Sequence, residues 1–81
     1  MAKKSQAEIL GGVLRKRRDE CGLSQEALAE QAGLDPTFIS RIENGHRRPS
    51  VESVWKVAKA LDVSFEELMA DVGRAFRRAR Y

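Results

Sequence analysis

Cysteine is nearly missing from this sequence: Cys21 stands alone. One cysteine forms no internal disulfide, so packing must hold the fold, and the chain suits a reducing compartment. Cys21 itself reads as a filler near a helix end rather than a reactive thiol. Proline occurs only twice and histidine once. No run of about 18 apolar residues is present, and no basic segment leads into an apolar stretch as in a secretory leader. These absences argue against a disulfide scaffold, a proline-rich linker and a membrane span, and they predict a cytoplasmic protein. Catalytic signatures are lacking too. There is no Ser/His/Asp set, no pair of carboxylates at a plausible site, no Cys/His metal spacing and no glycine-rich phosphate loop. A non-enzyme without metal or cofactor is expected, with His46 a surface loop residue.

Charge is what the chain has in quantity. Lys, Arg, Asp and Glu make up 33% of it beside 42% hydrophobic residues, which is the balance of a folded domain rather than a disordered tract. At 81 residues it is one domain with one small core. The net charge of +3 is unevenly spread. Six basic residues against three acids give +3 over residues 1–23, and four against one give +3 over residues 70–81. Between them, residues 24–50 carry −1 and residues 51–69 carry −2. The basic charge sits at both ends of the chain, so a grip on a polyanion has to be local.

Every apolar pattern has helical spacing, and no strand signal or repeat occurs. Residues 24–45 are the organising stretch. Ser24 is a good N-cap, and Asp35 followed by Pro36 is a cap followed by proline at the first helical position. These predict helices over Gln25–Ala32 and Pro36–Glu43, joined at Gly33, where a residue without Cβ turns most easily. Leu23 with Leu28, and Leu34 with Ile39, flank the two caps as hydrophobic staples. Ala29 is placed where the two helices approach, and Ile39 and Ile42 point to the core. Two stapled helices about a glycine turn form a helix-turn-helix. Pro36, Thr37, Ser40, Arg41 and Asn44 are left facing outward.

Three more helices surround this unit. Ser5 and Glu8 have capping-box spacing, which starts the first helix at Gln6, with Ile9, Leu10, Val13 and Leu14 on its stripe and Gly22 past its end. Gly11 and Gly12 weaken that helix unless they serve close packing. Its run Arg15–Lys16–Arg17–Arg18 is either a solvated face or a set of phosphate contacts. Asn44-Gly45 stops the third helix, and residues 46–49 form a basic loop. Ser50 caps a fourth helix whose stripe is Val51, Val54, Trp55, Ala58 and Leu61. Ser64 and Glu67 form a second capping box, with Val63 and Leu68 as a third staple. The fifth helix carries Phe65, Leu68, Met69, Val72 and Phe76, and Gly73 is expected to end or kink it. A single domain over residues 1–81 results, with core helices in 5–72, a frayed arm over Met1 to Lys4 and a basic, aromatic extension over 73–81. Leu68 and Val72 read as core. Trp55, Phe65, Met69 and Phe76 exceed what five small helices hide and are the candidates for a homodimer surface.

The pattern G-L-S-Q-E-x-L-A-x-x-A-G-L-x-x-x-x-I-S-x-I-E-N-G over residues 22–45, followed by R-x-P-S, resembles the Cro/C1-type (XRE) helix-turn-helix family. It is similar to the short stand-alone members, phage repressors and restriction–modification controller proteins. The resemblance covers residues 8–70 and implies an all-α, compact, five-helix lambda-repressor-like DNA-binding domain. It implies a sequence-specific transcriptional regulator that binds a palindromic operator in double-stranded DNA as a homodimer, through the major groove. An antitoxin that neutralises a protein partner is the alternative, since such proteins share the fold.

By that resemblance the start of the third helix reaches base edges. Pro36, Thr37, Phe38, Ser40 and Arg41 are the base-contact candidates. For Phe38 two roles stay open, touching a thymine methyl or packing on the second helix. Ser24, Gln25, Asn44, Arg47 and Arg48 are the phosphate candidates, with Gln25 at a helix N-terminus where free amides and the dipole favour an anion. Arg18 is expected to pair with Glu43 and lock the third helix to the first. Arg17 stands where many relatives have leucine, Pro36 where a polar or basic residue is common, and Asp35 is an acid beside DNA. With no separate ligand domain, no small-molecule effector is expected.

Overall fold

A computed structural model describes residues 3–81. The order is α1 (Gln6–Glu20), α2 (Gln25–Ala32), α3 (Pro36–Glu43), α4 (Val51–Ala60) and α5 (Phe65–Arg78). The helices close a ring in space. α1 packs on α3 and α5, α2 on α3 and α4, and α4 on α5. Inside the ring lies one core of Leu14, Leu28, Ala29, Ile39, Ile42, Val54, Val57, Ala58, Leu61 and Leu68. Ala29 is fully buried, which agrees with a close approach that only a small side chain allows.

The caps explain why these boundaries fall where they do. Ser5, Ser24, Ser50 and Ser64 are extended, and each hydroxyl oxygen accepts from a backbone N–H three residues on. Asp35 Oδ1 accepts from the Thr37 N–H at 2.7 Å. That contact turns the carboxylate into its own helix. All three staples form: Leu28, Ile39 and Leu68 are buried, with Leu23, Leu34 and Val63 packed against the same core. Gly33 closes α2 in the left-handed region at φ 68, which costs glycine little and other residues more. Only the first capping box is reciprocal. Ser5 N–H donates to Glu8 Oε1 at 2.9 Å. Glu67 instead reaches an arginine of α1.

Gly11 shows what holds α1 to α3. A Cβ there would lie 2.1 Å from the carbonyl oxygen of Ile42. The two backbones touch at that crossing, so the glycine that weakens α1 locally allows α3 to seat on it. Gly12 faces open space and has no such role.

Four expectations need correcting. The basic run is neither one solvated face nor one phosphate site. Consecutive residues on a helix stand about 100° apart, so the run is divided around α1. Arg15 meets Asp19 on the surface at 3.9 Å, Lys16 is exposed, Arg17 turns to α5 and Arg18 is buried against α3. The stripe of α4 is also shifted: Val57, which is not on it, is in the core, while Val51, which is, is 74% exposed; Trp55, named as a surface candidate, is 51% exposed. Gly73 does not end α5, which runs on to Arg78. The helix is docked along α1 there, and docking outweighs a propensity cost of about 1 kcal/mol. Finally, the expected frayed arm is partly tied down. Met1 and Ala2 lie outside the described residues. Lys3 Nζ donates to the Arg80 carbonyl at 3.0 Å and sits 4.0 Å from the Tyr81 ring centroid. Tyr81 Oη donates to the Lys4 carbonyl.

Candidate nucleic-acid interface

The N-terminal ends of α2 and α3 face one another across a groove of about 550 Å³. Ser24 and Gln25 line one side, Pro36, Thr37 and Ser40 the other. Half of the ten candidate DNA contacts therefore meet in one concavity. At about 100° per residue, Ser40, Thr37, Asn44 and Arg41 fall on one arc of α3, opposite Ile39 and Ile42. Thr37, Arg41 and Asn44 are exposed and Ser40 half-buried. A helix with this free arc fits the major groove.

Glu43 fixes the orientation of α3. It is 7% exposed and Arg18 8%. Arg18 Nε donates to Glu43 Oε2 at 2.7 Å and Nη2 to Oε1 at 2.9 Å, while Nη1 donates to the Leu23 carbonyl at 2.7 Å. This two-pronged, charge-assisted pair is the strong form of the interaction. It holds the Arg18 pKa above its ordinary value, chiefly through the hydrogen bond to Glu43. One arginine thus joins α1, the α1–α2 turn and the last residue of α3.

Gln25 carries a correction. Its side-chain amide donates to Glu43 Oε1 at 2.9 Å, so it is engaged inside the protein and completes the Glu43 carboxylate. What this end of α2 presents to an anion is backbone. Ser24 Oγ caps the Ala27 N–H, which leaves the Gln25 and Glu26 N–H groups as the orphan donors of the first turn. Sequence reasoning overlooked Glu26, an acid lining the same groove. Its place in the first turn favours the helix dipole, and that was the signal available for it.

The far flank of α3 is different. Phe38 is half-buried and packs on the core, so of its two open roles the packing one has an observation behind it. Arg47, from the loop after α3, lies over the Phe38 ring with its guanidinium 5.7 Å from the centroid. That stack restrains a long side chain while leaving its N–H edges free. Arg48 and Asn44 are exposed.

The aromatic candidates fall into two groups. The rings of Trp55 and Phe65 lie 5.7 Å apart between centroids, tilted by 40°, with Val51 one turn before Trp55. Val51 lies on the apolar stripe read from the sequence but is exposed. Met69, one turn after Phe65 on α5, is half-buried against the core. Phe76 stands apart, edge-on to the ring of Tyr81 at 6.0 Å; the chain's own last turn covers it.

This arrangement, a stapled pair of helices presenting a free arc of the second, defines a helix-turn-helix reader. A helix-turn-helix family model matches residues 14–68, and the chain belongs to the helix-turn-helix family of DNA-binding regulators. It is 40% identical over 63 residues to the control protein C.MunI of a Mycoplasma species, covering 76% of this chain and 85% of that protein. It is 36% identical over 63 residues to a longer HTH-type transcriptional regulator of Mycobacterium tuberculosis, of which it spans 45%. The fold is similar to the crystal structure of the restriction–modification controller protein C.Esp1396I, with a TM-score of 0.83 at 30% identity, covering 91% of this chain and 97% of that one. Regulators and controllers stand on the DNA-binding side of the two readings, and no observation favours the antitoxin alternative. No helix among the described residues is long and apolar enough to cross a membrane.

Proposed function

We propose that this chain regulates transcription as a homodimer on a palindromic operator, with α3 reading bases in the major groove. The observation that carries the reading is the arc of Thr37, Ser40, Arg41 and Asn44, held outward by the buried Arg18–Glu43 pair. Thr37 and Ser40 exchange hydrogen bonds at base edges, and Arg41 suits guanine O6 and N7. Pro36 supplies apolar contact only. Ser24, the free N–H groups of Gln25 and Glu26, Asn44, Arg47 and Arg48 hold phosphates and set register.

One such module makes few contacts, so affinity needs two half-sites about one helical turn apart. Val51, Trp55 and Phe65, with Met69 on the same helix as Phe65, form the surface for the second copy, since an aromatic pair half open to water suits a buried interface centre. Phe76 contributes less because Tyr81 already covers it. Selection of bound DNA from a random pool tests the whole reading. A palindromic consensus with half-sites about 10 base pairs apart is expected. A single half-site without symmetry would overturn the dimer, and no enrichment would overturn sequence reading.

A further inference from the structure

The ion pairs between α1 and α5 form the floor of a groove that DNA reading does not use. It has a volume of about 420 Å³ and is lined by Lys16, Arg17 and Glu20 of α1 and by Asp71, Arg74 and Arg78 of α5. Four cations thus face two carboxylates. Asp71 is occupied by both Arg17 and Arg74. Lys16 and Arg78, one from each helix, make no ion pair among the described residues. Arg74 and Arg78 are also four apart on one helix face, where like charges destabilise a helix. The C-terminal end of the α5 dipole favours Arg78 in part, but no carboxylate among the described residues pairs with it.

The groove's position excludes the operator as the missing anion. At about 100° per residue, Lys16, Arg17 and Glu20 lie on the side of α1 roughly opposite Gly11 and Arg18, which meet α3. A duplex held by α3 therefore leaves this groove open. Its volume falls in the range of small-molecule sites, about 300–1,000 Å³. Arginine forks match phosphate oxygens, and a ligand between Lys16 and Arg78 bridges two helices. We propose that the α1–α5 groove binds a small phosphate-bearing anion of the polyphosphate or nucleotide class, which ties α5 to α1. Such a ligand replaces the expectation that no small molecule acts on this protein.

The test is a titration of the full chain with inorganic pyrophosphate at constant ionic strength, followed by amide NMR. Saturable shifts over residues 13–20 and 71–78 are expected, with affinity at least tenfold weaker in the Lys16→Gln/Arg78→Gln double variant. Both side chains are exposed, so the variant should keep the wild-type peak dispersion. Its salt dependence of DNA binding should match wild type, because the groove does not face the duplex. Shifts confined to residues 24–27 would overturn the proposal by placing pyrophosphate in the phosphate seat of α2. So would linear shifts without saturation, or a polyglutamate peptide that occupies the groove when pyrophosphate does not. A flatter salt dependence in the double variant would equally overturn it, by making the groove part of the nucleic-acid face.

Discussion

Arg17 and Arg18 are neighbours in sequence, yet they hold the two halves of the molecule in opposite ways. Arg18 is buried and grips Glu43 with both prongs, so the recognition helix is fixed to α1 with its charges out of water. Arg17 has a side chain 26% exposed and reaches Asp71 at 2.6 Å and Glu67 at 3.3 Å on α5. A buried pair has one tolerable geometry and is costly to break. A half-open pair is screened by salt and is worth about 1 kcal/mol or less. The comparison suggests a division of labour: a rigid seat for the helix that reads, and a more tunable seat for the helix that carries the proposed dimer surface and the α1–α5 groove.

The largest expected effect lies on the buried side. Arg18→Ala leaves Glu43 buried with only the Gln25 amide, and stability should fall by about 3 kcal/mol, toward the lower end for a broken buried pair because that amide remains. Urea unfolding checks it. A loss below about 1 kcal/mol would mean that the two pairs are equivalent. Arg41→Ala should leave stability unchanged and reduce discrimination between operator and random DNA by about 1–3 kcal/mol. Equal weakening toward both DNAs would show that Arg41 reads no base.

On the open side, Asp71 supplies a pH signature. The hydrogen bond from Arg17, followed by its charge and by Arg74, holds the Asp71 carboxyl below the usual carboxylate range. A depressed folded pKa contributes stability above the unfolded value of about 3.9, lost as pH falls through the folded one. Asp71→Asn should therefore cost about 1 kcal/mol at pH 7, and the gap from wild type should close below about pH 4. A constant gap across that range would assign the loss to packing instead. Arg47→Ala comes next in size. Binding to all sequences should weaken alike, with the salt slope flatter by about one unit; an unchanged slope would remove Arg47 from the phosphate contacts.

The recognition half was more legible in sequence than the α5 half, for a physical reason. Caps, staples and the Gly33 turn are local: Ser24, Asp35 and Gly33 act on residues within a few positions, so they bounded α2 and α3 correctly. The Arg18–Glu43 pair came from a family resemblance, not from spacing. The Arg17–Asp71 pair joins residues far apart in sequence, and one arginine in a run of four carries no mark of its partner. The same distance hid the Gln25 amide's engagement with Glu43, the Tyr81 hydroxyl on the Lys4 carbonyl and the diversion of Glu67 from its cap to Arg17. On α4, the apolar pattern alone did not show that Val51 faces water and Val57 the core.

Arg17→Leu should have the smallest effect and is the sharpest test of the contrast. Asp71 keeps Arg74, and Glu67 is 56% exposed at its side chain, so no buried charge is stranded. Leucine at a half-buried position of α1 recovers apolar contact with α5. Replacing ion pairs by apolar groups of similar volume is often neutral or stabilising, so the change at moderate salt should lie within about 0.5 kcal/mol. What should change is the response to salt. Wild-type stability should fall between low and high sodium chloride as the Arg17 pairs are screened, and the leucine variant should lose part of that dependence. Unfolding at two salt concentrations decides it. A loss as large as that of Arg18→Ala would place both arginines in one rigid framework and leave α5 no independent freedom to respond.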